Sequence, residues 1–324
     1  MQLTWHVALM KTLAQRVSKR LSEVLAGAPE LAFNDSSKFI FFSDCHRGDN
    51  SAADEFAPNQ PLFLHALTQY FEQGYSYIEV GDGDELMKNK SFEVIRRAHQ
   101  AVFDLMRRFH EAGRLYMVYG NHDLVRRNPE VVARTLHQYF DEARKRIEPL
   151  FAGIEVYEGL RLHHAPSNQS FLVVHGHQGD LIDETLHRAG KFLVRHVWRR
   201  MQQSGIQKPG VWYSAWRGRN SKGGDTCGVN LHLRAFEQRL AAWARSQGLP
   251  LITGHSHRPI FAPSVDTPVF NCGSCVQRDQ ISGLEVSDGT ISLVNWSAHA
   301  GIFVREVVAG PMDIGTFARA VPAH

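Results

Sequence analysis

The spacing of apolar positions changes period along the chain, and the elements follow from those changes. Residues 1–25 set Trp5 and Leu13 among Lys11, Arg16, Lys19, Arg20 and Glu23, the pattern of an amphipathic helix. The run from Lys38 to Asp44 is a short apolar stretch closed by an acid, which predicts a buried strand. Leu62, Leu64, Leu67 and Phe71 place a helix over Pro61 to Gln73, and Tyr75 to Val80 predicts a second strand running into Gly81-Asp82. One helix is predicted from Phe92 to Ala112, with Val94, Ile95, Val102, Leu105 and Met106 on its apolar side. A third strand, Arg114 to Tyr119, ends at Gly120-Asn121-His122-Asp123, and a further helix is predicted from Pro129 to Arg146.

From Ile154 the period moves toward two, through Ile154–Tyr157, Leu160–His163 and Phe171–His175. Helical spacing then covers Leu181 to Gln203 and Asn230 to Gln247, separated by a polar linker. Strand patterns return at Pro250–His255, Val269–Asn271, Ile281–Val286, Thr290–Trp296 and Ile302–Val308, with a hairpin turn at Ser287-Asp288-Gly289. Alternating strands and helices in the first half predict a parallel sheet, and the later strands a second sheet packed on it: an α/β fold. There is no internal repeat or low-complexity tract.

Composition changes this picture little. The 324 residues are 43% hydrophobic, 21% charged and 10% aromatic, enough for a sizeable core, and the net charge of +3 says little about partners. The N-terminal stretch lacks the continuous apolar core of a signal peptide, and no run of about 18 apolar residues could span a membrane. A reducing cytoplasm is therefore the expected compartment for the four cysteines, Cys45, Cys227, Cys272 and Cys275. Cys272-Gly-Ser-Cys275 has C-x-x-C spacing, but no second pair completes a zinc site and no helix start follows it. It reads as small residues on a turn.

The chemistry lies just beyond the strands' carboxyl ends, where open α/β sheets hold ligands. Five short motifs stand there: Asp44-Cys45-His46, Gly81-Asp82, Gly120-Asn121-His122-Asp123, His175-Gly176-His177 and Gly254-His255-Ser256-His257. Each alone could be a turn with a capping acid or a surface histidine. Together they offer carboxylate, imidazole and amide oxygen, a set that suits divalent Mn, Fe, Zn or similar ions. Two ions about 3.5–4 Å apart need a bridging group, which a carboxylate provides.

The series resembles the calcineurin-like metallophosphoesterase signature, D-x-H, G-D-x-x-[D/E], G-N-H-[D/E], a strand-end His and G-H-x-H, from about Phe39 to Trp296. The resemblance implies two packed mixed sheets flanked by helices (αββα) and two divalent metal ions, manganese first, with Fe, Zn, Ni or Mg as alternatives. One ion would be held by Asp44, His46, Asp82 and His257, the other by Asp82, Asn121, His175 and His255, with Asp82 bridging. Metal-bound hydroxide would attack phosphorus. His122 would protonate the leaving oxygen, and Asp123 would orient His122. Glu85 takes a place that is Asp in many members. His175, which ends its strand, is preferred to His177 as ligand; His177 then stands behind the ligands or faces substrate. Asp180 reads as a helix cap.

Between His187 and Gly224 stand Arg188, Lys191, Arg195, Arg199, Arg200, Lys208, Arg217, Arg219 and Lys222, with no acid. Trp198, Trp212, Tyr213 and Trp216 are interleaved with them. Tethered between the fourth and fifth motifs, this stretch is expected to cap the site and favour an anionic substrate with an apolar part. It also suits contact with an anionic membrane. The expected organisation is an N-terminal helix at 1–37, a metallophosphoesterase domain at 38–310 with a cap insertion at 181–248, and a tail at 311–324.

The insertion and the run from Gly254 to Pro259 are similar to the UDP-2,3-diacylglucosamine hydrolases, which implies a lipid-linked pyrophosphate substrate at the inner face of the membrane. Other readings of the same residues are a nuclease using the basic segment as a backbone groove, a serine/threonine protein phosphatase, and a metal-binding scaffold without activity.

Overall fold

The computed structural model describes residues 2–89, 91–180, 234–261 and 268–316. Its strands form two large sheets and one small hairpin. The seven-stranded sheet is built on three parallel strands, β2 (Phe39–Phe42), β3 (Ser76–Val80) and β4 (Leu115–Val118), joined by the short β7 (Val156–Tyr157). On the other side of β2 follow β13 (Gln280–Ser287), β14 (Thr290–His299) and β15 (Ile302–Asp313), each antiparallel to the strand before it. The six-stranded sheet has the order β1 (Glu30–Phe33), β8 (Gly159–His164), β9 (Gln169–Val174), β10 (Leu251–Thr253), β12 (Val269–Cys272) and β11 (Pro259–Phe261).

The side-chain period of two explains the layering. In β2, Phe39 and Phe41 enter a core between the sheets with Ile78, Phe171, Val173 and Phe270. Ile40 and Phe42 enter an outer core with Leu67, Phe103 and Phe109, which come from α2 (Gln60–Glu72) and α4 (Gln100–Glu111). A third core covers the other outer face. There Leu172, Val174 and Leu251 meet Val17, Leu21 and Val24 of α1 (Gln2–Gly27) and Leu240, Trp243 and Ala244 of α6 (Ala235–Gln247). Strands buried on both faces need a continuous apolar run, which is what β2 carries. The order is helix, sheet, sheet, helix, as expected for this fold class.

Several local expectations fail for identifiable reasons. The helix expected over Phe92 to Ala112 is two helices, α3 (Phe92–Ala98) and α4, because His99 leaves helical geometry to bond Asp54 and Gln60 through its two ring nitrogens. The helix expected to run to Arg146 stops at Leu136 as α5 (Pro129–Leu136). Tyr139 and Phe140 then favour a strand, and Asp141 Oδ1 accepts from Ala143 N and Arg144 N at 2.9 and 3.0 Å, closing a turn. The result is an antiparallel hairpin of β5 (Gln138–Asp141) and β6 (Arg146–Pro149). The expected N-terminal helical element ends early, since Glu30–Phe33 joins the six-stranded sheet beside β8. The boundary expected at 310 falls inside β15. Of the expected cap, residues 181–233 lie outside the described residues. α6 belongs to the outer layer, because Leu240, Ala241 and Ala244 give it an apolar face for that sheet. No described helix is long and apolar enough to cross a membrane.

Candidate metal centre

Asp44 and His46 follow β2, Asp82 follows β3, Asn121 and His122 follow β4, His175 follows β9, and His255 and His257 follow β10. The two sheets therefore each contribute to one site. Backbone bonds lace the first two loops together: Asp44 N to Gly81 O at 3.1 Å, His46 N to Asp82 O at 2.9 Å and Arg47 N to Gly83 O at 3.0 Å. Such tight crossing explains the motif glycines. A Cβ on Gly81, whose φ is +78°, would stand 2.6 Å from the His175 ring, and one on Gly120 would collide with the Asp82 carboxylate. Asp44, His46, Asp82, His255 and His257 all have φ between 47° and 68°. Left-handed backbone in non-glycine residues stores strain, and it concentrates here on residues aimed at one point.

Two ligand sets meet at Asp82. In the first, His257 Nε2 lies 3.1 Å from Asp44 Oδ1, and the Nε2 atoms of His46 and His257 are 3.2 Å apart. His46 Nε2 is 3.7 Å from both Asp44 Oδ1 and Asp82 Oδ2. In the second, His175 Nε2 is 3.2 Å from Asp82 Oδ2 and 3.2 Å from Asn121 Oδ1, and His255 completes a cluster with Asp82 and His175. Ligands about 2.0–2.2 Å from one ion stand roughly 3–3.6 Å from each other, so both sets have a suitable span. Two further features fit a cation. Asp44 Oδ1 is buried without a well-formed hydrogen bond, and two facing imidazole nitrogens repel unless a proton or metal lies between them.

The supports fix which atoms face inward. His175 Nδ1 bonds Val80 O at 2.9 Å, which leaves Nε2 as the nitrogen that faces the site and would ligate once deprotonated. Asp44 Oδ2 accepts from Ser43 Oγ at 2.5 Å and His255 N at 2.8 Å, leaving Oδ1 for the site. Asn271 Nδ2 donates to Gly254 O at 2.5 Å and to Ser256 Oγ at 3.2 Å, which steadies the turn carrying His255 and His257.

Asp123 does not orient His122. Its oxygens accept from Gly120 N at 2.6 Å and Gly83 N at 3.2 Å and meet Arg126 at 3.3 Å. Burial pushes its carboxyl up to about 6, with Arg126 opposing and Asp82 assisting. The residue that holds His122 is Glu85, whose two oxygens lie 2.9 and 3.0 Å from Nδ1. Glu85 also stands 3.4 Å from His46 Nδ1, so one buried carboxylate sets two rings. The sequence signal was present in the acid three residues after Asp82. Adjacency in sequence favoured Asp123, but its side chain is turned under the loop.

His177 is buried, with Nδ1 lacking a hydrogen bond, and its ring centroid is 5.6 Å from that of His175. Burial, then the charges of His175 and His255, lowers its pKa well below the usual imidazole range. It lies beside the ligands and outside the clustered sets. Asp180 Oδ2 is 3.9 Å from His255 Nε2; the helix it was expected to cap lies outside the described residues. Cys45, Cys272 and Cys275 are buried free thiols, and burial pushes Cys275 up, which suits packing rather than reactivity. Cys227 is outside the described residues.

The charges work as a cation trap. Burial opposes protonation of His175, yet Asp82 and Asp44 outweigh it and raise the ring to about 9. His46 is raised in the same way, against burial, by Asp44 and Glu85. Burial would raise Asp82, but His175 and His122 overcome it and hold the carboxyl below its ordinary range. Metal binding needs neutral imidazole, so at pH 7 an incoming ion must displace at least the His175 proton. Affinity should therefore rise with pH up to about 9. Calorimetric titrations with manganese in buffers of different ionisation enthalpy should show proton release; identical heats would contradict this charge state.

No curated protein is matched by this chain. Among solved structures, it is similar to Vacuolar Protein Sorting 29 from Cryptosporidium parvum, at 11% identity over 83% of this chain and 95% of that chain, TM-score 0.36. It is also similar to the wild-type zinc complex of Vps29 from Entamoeba histolytica, at 15% identity over 83% and 97%, TM-score 0.34. The family model for calcineurin-like phosphoesterases matches residues 37–259, a span holding all five motifs and every candidate ligand. The chain belongs to the calcineurin-like phosphoesterase family.

Proposed function

We propose that this protein hydrolyses a phosphate ester or pyrophosphate bond with two divalent ions, manganese first among them. The observation that carries the reading is the position of Asp82 Oδ2, 3.7 Å from His46 Nε2 and 3.2 Å from His175 Nε2. One carboxylate oxygen thus faces two otherwise separate ligand sets. When bound, the ions supply Lewis acidity toward the phosphoryl oxygens and toward water.

The chain's own residues do the rest. Asp82 Oδ1 accepts from His122 N at 2.8 Å, tying the proposed acid to the bridging residue. Glu85 occupies His122 Nδ1, so Nε2 is the nitrogen that holds a proton for the leaving oxygen. The ring is 21% exposed, enough for a substrate to reach it, whereas Glu85 behind it is buried. Burial disfavours the imidazolium, but Glu85 and Asp82 raise its pKa. A proton is then available near neutrality, as general acid catalysis requires.

The test is hydrolysis of bis-p-nitrophenyl phosphate and p-nitrophenyl phosphate with added manganese. His122→Ala should lower kcat by about 10²–10⁴ while metal content stays at the wild-type value. A fully metal-loaded wild type that turns over neither compound nor any pyrophosphate would sink the enzymatic reading. For the substrate we propose a nucleotide-linked lipid of the UDP-2,3-diacylglucosamine type, met at the inner face of the membrane. The run Gly254 to Pro259 and the basic, aromatic composition of residues 188–222 support it. Release of UMP from the UDP-lipid is the expected product; cleavage of small phosphoesters without it would remove this substrate.

A further inference from the structure

The two ligand sets share Asp82 and the turn that carries both His255 and His257, but their other ligands are supported from different directions. The Asp44–His46 loop rests on Arg47, which binds Glu79 and Asp84, and the His257 turn rests on Asn271. Asn121 and His175 depend on neither of these alone. Asn121 lies two residues beyond Tyr119, whose hydroxyl donates to Glu158 Oε2 at 2.8 Å. His175 precedes a turn in which Gly176 N donates to Gln178 Oε1 at 3.0 Å, and Gln178 Nε2 reaches Glu158 Oε1 at 3.4 Å. The other partner of Glu158 Oε1 is Arg20 of α1, at 2.7 Å. Arg20 and Glu158 are 24% and 19% exposed, so the pair is largely shielded from water. Val17, Leu21 and Val24, buried against the six-stranded sheet, fix where α1 presents Arg20.

We propose that Glu158, held by Arg20, is a positioning residue for the second ion: it clamps the Tyr119 and Gln178 segments and thereby sets the separation of Asn121 Oδ1 and His175 Nε2. This rests on the two-ion reading above. It also gives the N-terminal helix a role at the site, although none of its described side chains belongs to a candidate ligand cluster. Residues that hold metal ligands in place typically cost 10–100-fold in metal affinity when removed. Because the ligand-bearing segments that Glu158 bonds among the described residues belong to one ligand set, the loss should fall on one ion.

The experiment is manganese titration of the full chain, followed by electron paramagnetic resonance, for wild type, Glu158→Gln, Arg20→Met and Tyr119→Phe. Wild type should take up two ions and show the signal of a spin-coupled pair. The variants should bind the first ion normally and the second about 10–100-fold more weakly, with an isolated-ion signal replacing the coupled one at equal loading. Arg20→Lys should recover part of the loss, and Arg20→Met with Glu158→Gln should cost no more than either alone. Second-ion affinity at the wild-type value in Glu158→Gln overturns the clamp, as does equal weakening of both ions. Uptake of one ion by wild type overturns the two-ion reading and the clamp with it. Tyr119→Phe removes a single hydroxyl and carries the test if the charge variants fail to fold.

Discussion

Asp82→Asn is expected to lower phosphoesterase turnover by at least about 10²–10³, the effect of deleting one preorganised electrostatic group, and to reduce bound metal from two ions to one. The reason lies in the use of both carboxylate oxygens. Oδ1 accepts from His122 N at 2.8 Å, while Oδ2 faces His46 and His175. An amide supplies one oxygen only. With its nitrogen at the Oδ1 position, two donors face each other; with its nitrogen at the Oδ2 position, the shared ligand is gone. The negative charge that gathers His46, His122 and His175 is also lost, so the imidazoles should become easier to deprotonate. Metal analysis and kcat on the same samples decide the matter. An Asp82→Asn protein that keeps two ions and turns over within a few-fold of wild type would exclude Asp82 as the bridge.

Arg47→Met should destabilise the fold by about 3–5 kcal/mol, the usual consequence of taking one partner from a buried ion pair. Arg47 is fully buried, its Nη atoms bond Glu79 at 2.7 and 2.9 Å, and its Nε bonds Asp84 at 2.7 Å. The guanidinium also lies over the Phe103 ring, 5.1 Å from its centroid. Arg126 bonds Asp84 as well, but it must serve Asp123 too, so it cannot neutralise what Arg47 leaves behind. Lysine is a point charge and cannot make the three-way contact, so Arg47→Lys should fall between the two. The pH dependence has a defined sign. Burial raises the Asp84 carboxyl, but Arg47 and Arg126 outweigh it and hold the pKa below its ordinary value. Its contribution is therefore complete above the ordinary Asp pKa of about 3.9 and is lost as pH falls toward the lowered one. Urea unfolding at neutral and acid pH should show wild type losing this increment and Arg47→Met having less to lose. A neutral-pH difference under about 1 kcal/mol would mean the network is not what holds these loops.

The residues that determine the core were readable because their surroundings demand a simple pattern. A strand buried on both sides must be apolar throughout, and Phe39 to Phe42 and Phe171 to Val174 could be little else. The candidate ligand positions were readable for a related reason: polar residues that break such a run at its carboxyl end need a purpose. What escaped depended on partners remote in sequence. His99 breaks a helix to reach Asp54 and Gln60, which lie 45 and 39 residues away. β1 exists because β8, more than a hundred residues later, offers it an edge. The role of Glu85 was ambiguous because Asp123 is the nearer neighbour of His122 in sequence. Only the loop geometry shows that Asp123 is occupied by backbone amides and Arg126. The hairpin at 138–149 is a different case, a local contest in which Asp141 bonding its own turn defeated helical propensity.

The left-handed backbone at Asp44, His46, Asp82, His255 and His257 has an evolutionary consequence. Such a conformation costs about 1 kcal/mol or more in a residue with a Cβ, and glycine relieves it. A lineage with no use for these side chains would find glycine at these places an easy route to a more heat-resistant chain. The five side chains thus stand at places where the backbone alone would favour glycine.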